Sequence, residues 1–273
     1  MPGAVPLAVP VRVGNDDGEG WECGHVCFRN MGLGRILPVR YTHRINMNER
    51  RNPRILSILP LVLVVPLAAC AQGVEDEWET LFDGETLNGW GGFKNPTPPQ
   101  GWDVVDGNLT RVGGGGDLVS VGQYGDFELR LEWNISEGGN SGVMFRVDPA
   151  AARTFESGPE MQVLDDANHY DGQSPLTSAG ANYGLHASPE GVVRPPGEWN
   201  EVRLIANGAH VEHWLNGVKV VEYELWSPEW EKLVANSKFI EWPVYGRAER
   251  GHIVLQDHGD WVAFRNIRIR EIE

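Results

Sequence analysis

Residues 127–135 read "FELRLEWNI". Phe127, Leu129, Leu131 and Trp133 share one parity, while Glu128, Arg130 and Glu132 take the other. A period of two belongs to an extended chain, whose side chains alternate between faces, so this stretch is a strand with one face in a core. The pattern recurs outward from it. "GVMFRV" (142–147) sets Val143, Phe145 and Val147 against Met144 and Arg146, and "EMQVL" (160–164) sets Met161 and Val163 against Glu160, Gln162 and Leu164. "EVRLIA" (201–206) and "HVEHWLNG" (210–217) continue it, the latter closing on Asn216-Gly217, a pair suited to a tight hairpin turn. Gly, Asn, Asp and Pro punctuate these runs. In the last run Val262 and Phe264 share a parity but Ile267 and Ile269 take the other, which predicts a bulge near Arg265-Asn266. Only "SPEWEKLVANSKF" (227–239) has a helical pattern, with Ser227 and Pro228 in starting positions. Many short strands, little helix and no long internal repeat predict an all-β fold, a two-sheet antiparallel β-sandwich of jelly-roll type.

Upstream the text changes. Residues 47–70 read "MNERRNPRILSILPLVLVVPLAAC": a Met, three arginines, an apolar run from Ile55 to Leu67, then Leu67-Ala68-Ala69-Cys70. A basic start, an apolar stretch short for a bilayer and small residues before a cleavage point make a secretion signal. The ending resembles the lipobox of bacterial lipoproteins, in which the Cys carries the lipid. The expected organisation is an upstream extension over 1–46, a lipoprotein signal peptide over 47–69, a tether over 70–77 and one domain over 78–273. Cys70 would then hold the protein to a membrane of the cell envelope. Cys23 and Cys27 fall in the extension, so disulfides are not expected to hold the domain together.

Five of the 38 acidic residues and eight of the 23 basic ones precede Cys70, which leaves 15 basic against 33 acidic after it, a net charge of −18. So acidic a domain repels nucleic acid, and no basic stripe argues otherwise. The polar parity of several strands carries Glu132, Arg146, Glu160, Gln162, Gln256 and His258, with no lysine among them. A merely wet face would favour Lys, Thr and Glu. Short or planar groups of both hydrogen-bonding senses suit sugar hydroxyls, and the ten tryptophans after Cys70 can supply stacking surfaces. "HIVLQDHGDW" (252–261) ends its strand on an amide, a carboxylate and an imidazole, which places Gln256 and His258 at the rim of a groove, with Asp257 on the opposite parity as either a partner behind the site residues or a loop anchor.

Seven segments occur in a fixed order: "LFDGETLNGW" (81–90), "GWDVVDGNL" (101–109), "DFELRLEW" (126–133) with "GNSGVMFRV" (139–147), "EMQVLDDANH" (160–169), "PPGEWNEVRL" (195–204), "HVEHWLNG" (210–217) and "IVLQDHGDWVAFRNIRI" (253–269). Together they resemble the signature segments of the 3-keto-disaccharide hydrolase family over nearly all of 78–273. The resemblance implies a concanavalin-like jelly roll, secretion or lipid anchoring, and action on 3-keto-glycosides. One departure is Asn182 in "AGANY" (179–183), where the family more often has an aliphatic residue, in a loop expected over the groove.

A ketone at C3 acidifies the C2 proton, so a base can remove it and the glycosidic oxygen can leave from C1, with water adding afterwards. That route needs a base of near-neutral pKa, a donor or cation for the enolate oxygen and an acid for the leaving group. His258, Glu160, Asp165 and His169 are the candidates for proton transfer, His258 and Glu160 ranking first. Arg146 and Gln256 are candidates to polarise the ketone, and Glu132, Asn140 and Gln162 to hold hydroxyls. Asp165 and Asn140 also suit plain turn roles, and Glu132 and Arg146 also suit cross-strand pairing. His213 falls in register with Val211 and Leu215 and reads first as a core histidine. No cofactor is expected, although a divalent metal would suit the enolate-stabilising part. There is no His-x-His or His-Glu-x-x-His spacing and no Gly-x-Ser-x-Gly elbow, and "VGGGGD" (112–117) lacks the helix of a dinucleotide motif. A lectin-like glycan-binding module and a direct two-carboxylate glycosidase remain alternatives on the same scaffold.

Overall fold

A computed structural model describes residues 78–272. The expected extension, signal peptide and tether, Cys70 included, lie outside the described residues. Thirteen strands are present: β1 (Glu79–Thr80), β2 (Trp90–Gly92), β3 (Trp102–Val105), β4 (Asn108–Arg111), β5 (Leu118–Tyr124), β6 (Phe127–Ile135), β7 (Asn140–Val147), β8 (Glu160–Leu164), β9 (Asn200–Asn207), β10 (His210–Leu215), β11 (Val218–Glu224), β12 (Gly251–Leu255) and β13 (Val262–Glu271). They form two antiparallel sheets. The larger runs β11-β10-β9-β6-β13-β4-β3 with β1 on β13, and the smaller runs β2-β5-β12-β7-β8. Neighbours in these orders are mostly distant in sequence, as in a jelly roll.

The predicted face of β6 is the centre of the core. Phe127, Leu129, Leu131 and Trp133 are buried against residues of the other sheet such as Phe145, Met161, Val163 and Leu255. Each such side chain contributes about 1.5–3 kcal/mol of transfer free energy. Turn chemistry fixes the register around it. Asn216 and Gly217 both take positive φ between β10 and β11, which matches the strand twist. The expected bulge is present: pairing of β13 with β6 slips between Arg265 and Arg268, with Asn266 at φ 53°.

The helix α1 (Pro228–Ala235) starts where its cap dictates, with the Ser227 side chain accepting from the Trp230 amide and Pro228 in the first turn. It buries Trp230 and Val234. A short 3₁₀ turn, Lys238–Glu241, follows it. Among the described residues no helix is long and apolar enough to cross a membrane. His213 is a core histidine as read, edge-on to Phe145 and Tyr223, with Nδ1 3.0 Å from the Gly180 carbonyl. Burial lowers its pKa to about 4.

A second bulge, absent from the sequence reading, lies in β7. Across β12, His252 faces Val147 and Val254 faces Met144, so Phe145 and Arg146 together oppose Ile253. Arg146 takes φ 48° there. Parity therefore inverts: Met144 and Val147 share a small apolar cluster with Val119 and Val254, while Phe145 belongs to the main core.

Candidate active site

On β8, Met161 and Val163 face the core, so Glu160 and Gln162 point out of the smaller sheet. Gly142 of β7 pairs with Gln162, and Met144 with Glu160. Over this outer face lies a cavity of about 330 Å³, closed by the segment after α1, by the loop around Tyr183 and by the end of β12. Asn140, Glu160, Gln162, Gln256 and His258 line it. Five candidates from β7, β8 and the end of β12 are thus brought together.

Three of them are amides whose polar atoms lack partners. Both side-chain atoms of Gln162, Oδ1 of Asn140 and Oε1 of Gln256 are buried without a hydrogen bond in the protein. A buried polar atom left unpaired costs about 1–3 kcal/mol, so such a set marks a place where a ligand supplies the missing bonds. Glu160 sits among them. Burial pushes its carboxyl up to about 8; Asp117 and Asp171 add to the rise, and only Lys238 opposes it. A carboxylate poised there is a base near neutral pH.

Glu160 is placed by a missing side chain. A Cβ on Gly142 would lie 1.9 Å from Oε1 of Glu160 and under 3 Å from its Cδ and Cγ. Gly142→Ala is expected to leave the sheet folded but to turn the carboxylate aside and lower kcat about 10–100-fold, because small misplacements of a reacting group cost that much. Steady-state kinetics beside a thermal melt checks this; an unaltered kcat refutes it.

Other elements complete the cavity. Asp117 is a half-buried carboxyl raised by desolvation; it accepts from the Thr154 hydroxyl and, at 2.9 Å, from the Asp257 amide. Of the two readings of Asp257, its contacts are those of a loop anchor. It ion-pairs with Arg111 and accepts from the Gly115 and Gly116 amides at 3.1 and 3.0 Å, tying down the glycine-rich loop that delivers Asp117. Lys238 enters from the opposite wall, its ammonium 4.3 Å from the Tyr183 ring centre and 5.3 Å from that of Phe239. Phe155 and Trp242, edge-on at 5.3 Å, and Tyr245 add aromatic surface. Asn182 is buried beneath this loop, 3.0 Å from His186 Nδ1, and the next residue donates its amide to the Glu160 carbonyl.

Four candidates are placed elsewhere. The β7 bulge turns Arg146 out of register, and its guanidinium donates to the carbonyls of Gly125 and Gly208 and to Asp126 at 2.8–2.9 Å. It staples loops and does not reach the cavity lining. Glu132 lies on the other sheet, where Arg265 and Asn266 hold it, because parity says nothing of which sheet a strand joins. Asp165 accepts from the Gly138 and Ala167 amides and from Asn168, so it organises its loop. His169 stands at the rim, its ring 6.5 Å from that of His258, but its Nδ1 accepts from the Asp171 amide as the cap of a 3₁₀ turn.

Sequence reading missed Asp117, Tyr183, Lys238 and Tyr245. The density of aromatics in "FIEWPVYG" (239–246) was the one available signal for the last wall. Among the described residues the grouping with metal-ligand spacing is His210, Glu212 and Glu222, outside the cavity lining, where the Lys219 ammonium donates to both carboxylates.

The chain is similar to known proteins over this same region. A family model described as the 3-keto-alpha-glucoside-1,2-lyase-like domain matches residues 77–270. A 3-keto-disaccharide hydrolase of Bacteroides thetaiotaomicron is 33% identical over 230 residues, covering 72% of this chain and 79% of the relative. Two crystal structures of candidate glycosyl hydrolases from Parabacteroides distasonis superpose with TM-scores of 0.66 and 0.57, at 33% and 30% identity; each covers 72% of this chain, against 94% and 100% of the solved chains.

Proposed function

Because this chain belongs to the family of 3-keto-alpha-glucoside-1,2-lyase-like domains and is a carbohydrate-active enzyme, we propose that it cleaves the glycosidic bond of 3-keto-glycosides by elimination and rehydration. The observation that carries this reading is Glu160, a carboxyl raised to about 8 inside a cavity walled by unpaired amides. Ordinary glycoside hydrolysis across two carboxyls needs one of them ionised and the other protonated about the glycosidic oxygen. Here Glu160 and Asp117 are both raised, the lining carboxyl that is lowered, Asp257, is taken up by Arg111 and the Gly115 and Gly116 amides, and the nearest ammonium is Lys238.

Glu160 removes the proton from C2. The bonding pair moves into C2–C3 and places charge on the C3 oxygen, which Lys238 stabilises. The pair then forms C1=C2, the C3 carbonyl returns and the C1–O bond breaks. His258, exposed at the mouth, protonates the departing oxygen, and water adds across C1=C2 to finish hydrolysis. Asn140, Gln162 and Gln256 hold the sugar hydroxyls through the atoms that lack partners.

Incubation with a 3-keto-disaccharide in deuterated water tests the route. Released 3-keto-sugar carrying deuterium at C2 is expected. Cleavage without deuterium would overturn elimination, and binding without cleavage would leave a glycan-binding module. The reading also places the enzyme at the cell envelope, held by lipid on Cys70, which the basic start and Leu-Ala-Ala-Cys ending of 47–70 support.

A further inference from the structure

One buried, unpaired polar group of the cavity lining has no work in the route above. Tyr245 lines the cavity, is 1% exposed, and its hydroxyl has no hydrogen-bond partner in the protein. Two other buried groups nearby, the Tyr223 hydroxyl and the Trp230 indole N–H, are also unpaired, but neither residue lines this cavity. Of these three, only Tyr245 combines an unmet donor with a place in the cavity wall that also holds Glu160.

Its position is fixed from every side. Phe239 stacks on the ring at 3.9 Å and 16°, and Trp230 lies beyond it at 5.9 Å and 2°. The Tyr245 amide donates to the Trp242 carbonyl at 2.9 Å, and the Gly246 amide to the Ser157 carbonyl at 2.8 Å. Gly246 is at φ 65°, and a Cβ there would sit 2.5 Å from the Trp230 ring, so the turn behind the phenol admits only glycine. Burial and the nearby Glu160 carboxyl hold the phenol protonated, so it stays a donor at any working pH. A rigid donor aimed by packing loses no reorganisation energy when charge develops against it.

We propose that Tyr245 is a catalytic residue, a second donor beside Lys238 that hydrogen-bonds the C3 oxygen as it becomes an enolate. The inference rests on the elimination route. No proton leaves the phenol: its O–H···O contact strengthens as charge grows on the oxygen and relaxes when the carbonyl returns. One donor of this kind is worth about 10²–10³ in rate.

Tyr245→Phe tests it with three readouts. kcat is expected to fall about 10²–10³-fold with KM within a few-fold, since the bond strengthens in the transition state. Exchange of the C2 proton with deuterated solvent should slow by the same factor, because enolate formation is the step assisted. Thermal stability should hold or rise, because the lost hydroxyl was unpaired. A drop in melting temperature with near-native kcat would make the hydroxyl structural and overturn the proposal, as would a rise in KM alone. Glu160→Gln in the same assay separates the two readings: if it is inactive while Tyr245→Phe turns over normally, this inference fails and the route stands. If Glu160→Gln remains active, the route itself fails.

Discussion

Replacing Glu160 by Gln is expected to lower kcat by about 10³-fold or more while making the protein harder to unfold. Both effects have one cause. The carboxyl lies in a cavity where burial opposes its charged form, so its pKa rises from 4.5 to about 8 on folding. Between those values the folded protein holds a proton that the unfolded chain has released. Raising the pH through this window therefore draws stability away, and above about 8 the full penalty of a buried charge is present. Gln keeps the shape and removes the charge. The variant should gain about 1–3 kcal/mol at pH 8 and nothing at pH 4, with water in the open cavity softening the upper figure. Native kcat/KM should rise with pH to an inflection near 8 as the base ionises. Chemical denaturation at the two pH values, beside the pH–rate profile, checks this. A variant less stable at pH 8 than the native protein would show that Glu160 is not held in the shifted state.

The second large effect is at Arg146, and it is structural. Arg146→Ala removes a guanidinium that is 2% exposed and strips donors from the carbonyls of Gly125 and Gly208. Asp126, 43% exposed, loses its partner but can turn to water. The cost should be about 2–4 kcal/mol, mostly from the two stranded carbonyls and the emptied space. Lysine should not rescue it, because one ammonium cannot reproduce a planar fork with three acceptors in fixed directions. Below its melting temperature the variant should keep kcat within a few-fold. A collapse of kcat with stability intact would return Arg146 to the chemistry.

These two residues show how far side-chain alternation can be trusted. Glu160 and Arg146 both fall on the polar parity of a strand, and β7 and β8 are neighbours. The parity rule succeeds for Glu160, Gln162 and Gly142 because the pairing there is regular. It fails at Arg146 because one extra residue is accommodated opposite Ile253, and a bulge of one residue exchanges the two faces. In β13 a similar bulge was legible, since apolar residues on both sides of it record the slip in phase. In β7 the apolar Val147 looks regular and hides it: its face is covered by a second small cluster with Met144, so both faces there are apolar.

The family likeness was legible for a different reason. Several of its segments are turns and strand ends, such as "FDGETLNGW" and "LQDHGDW", where backbone conformation and loop anchoring restrict the residue types. Asp83 shows this by accepting from the Glu85 and Thr86 amides and from the Thr86 hydroxyl. Lys238 and Tyr245 carry no such mark. They lie after a helix whose own pattern is fully explained by Trp230 and Val234 packing inward. That the chain beyond it folds back over β8 follows from contacts across the sandwich.

By itself the sequence determined the strands, the faces most of them bury, the positions of the hairpin and helix start, and the acidic character of the domain. These rest on periods of two residues and on the backbone preferences of single residues, which are local. The assignment of β6 and β7 to different sheets, the loss of Arg146 and Glu132 from the site, and the arrival of Asp117, Lys238 and Tyr245 around Glu160 were decided by tertiary structure. Pairing between strands far apart in the chain, and the burial that raises the Glu160 pKa, exist only once the two layers have closed on each other.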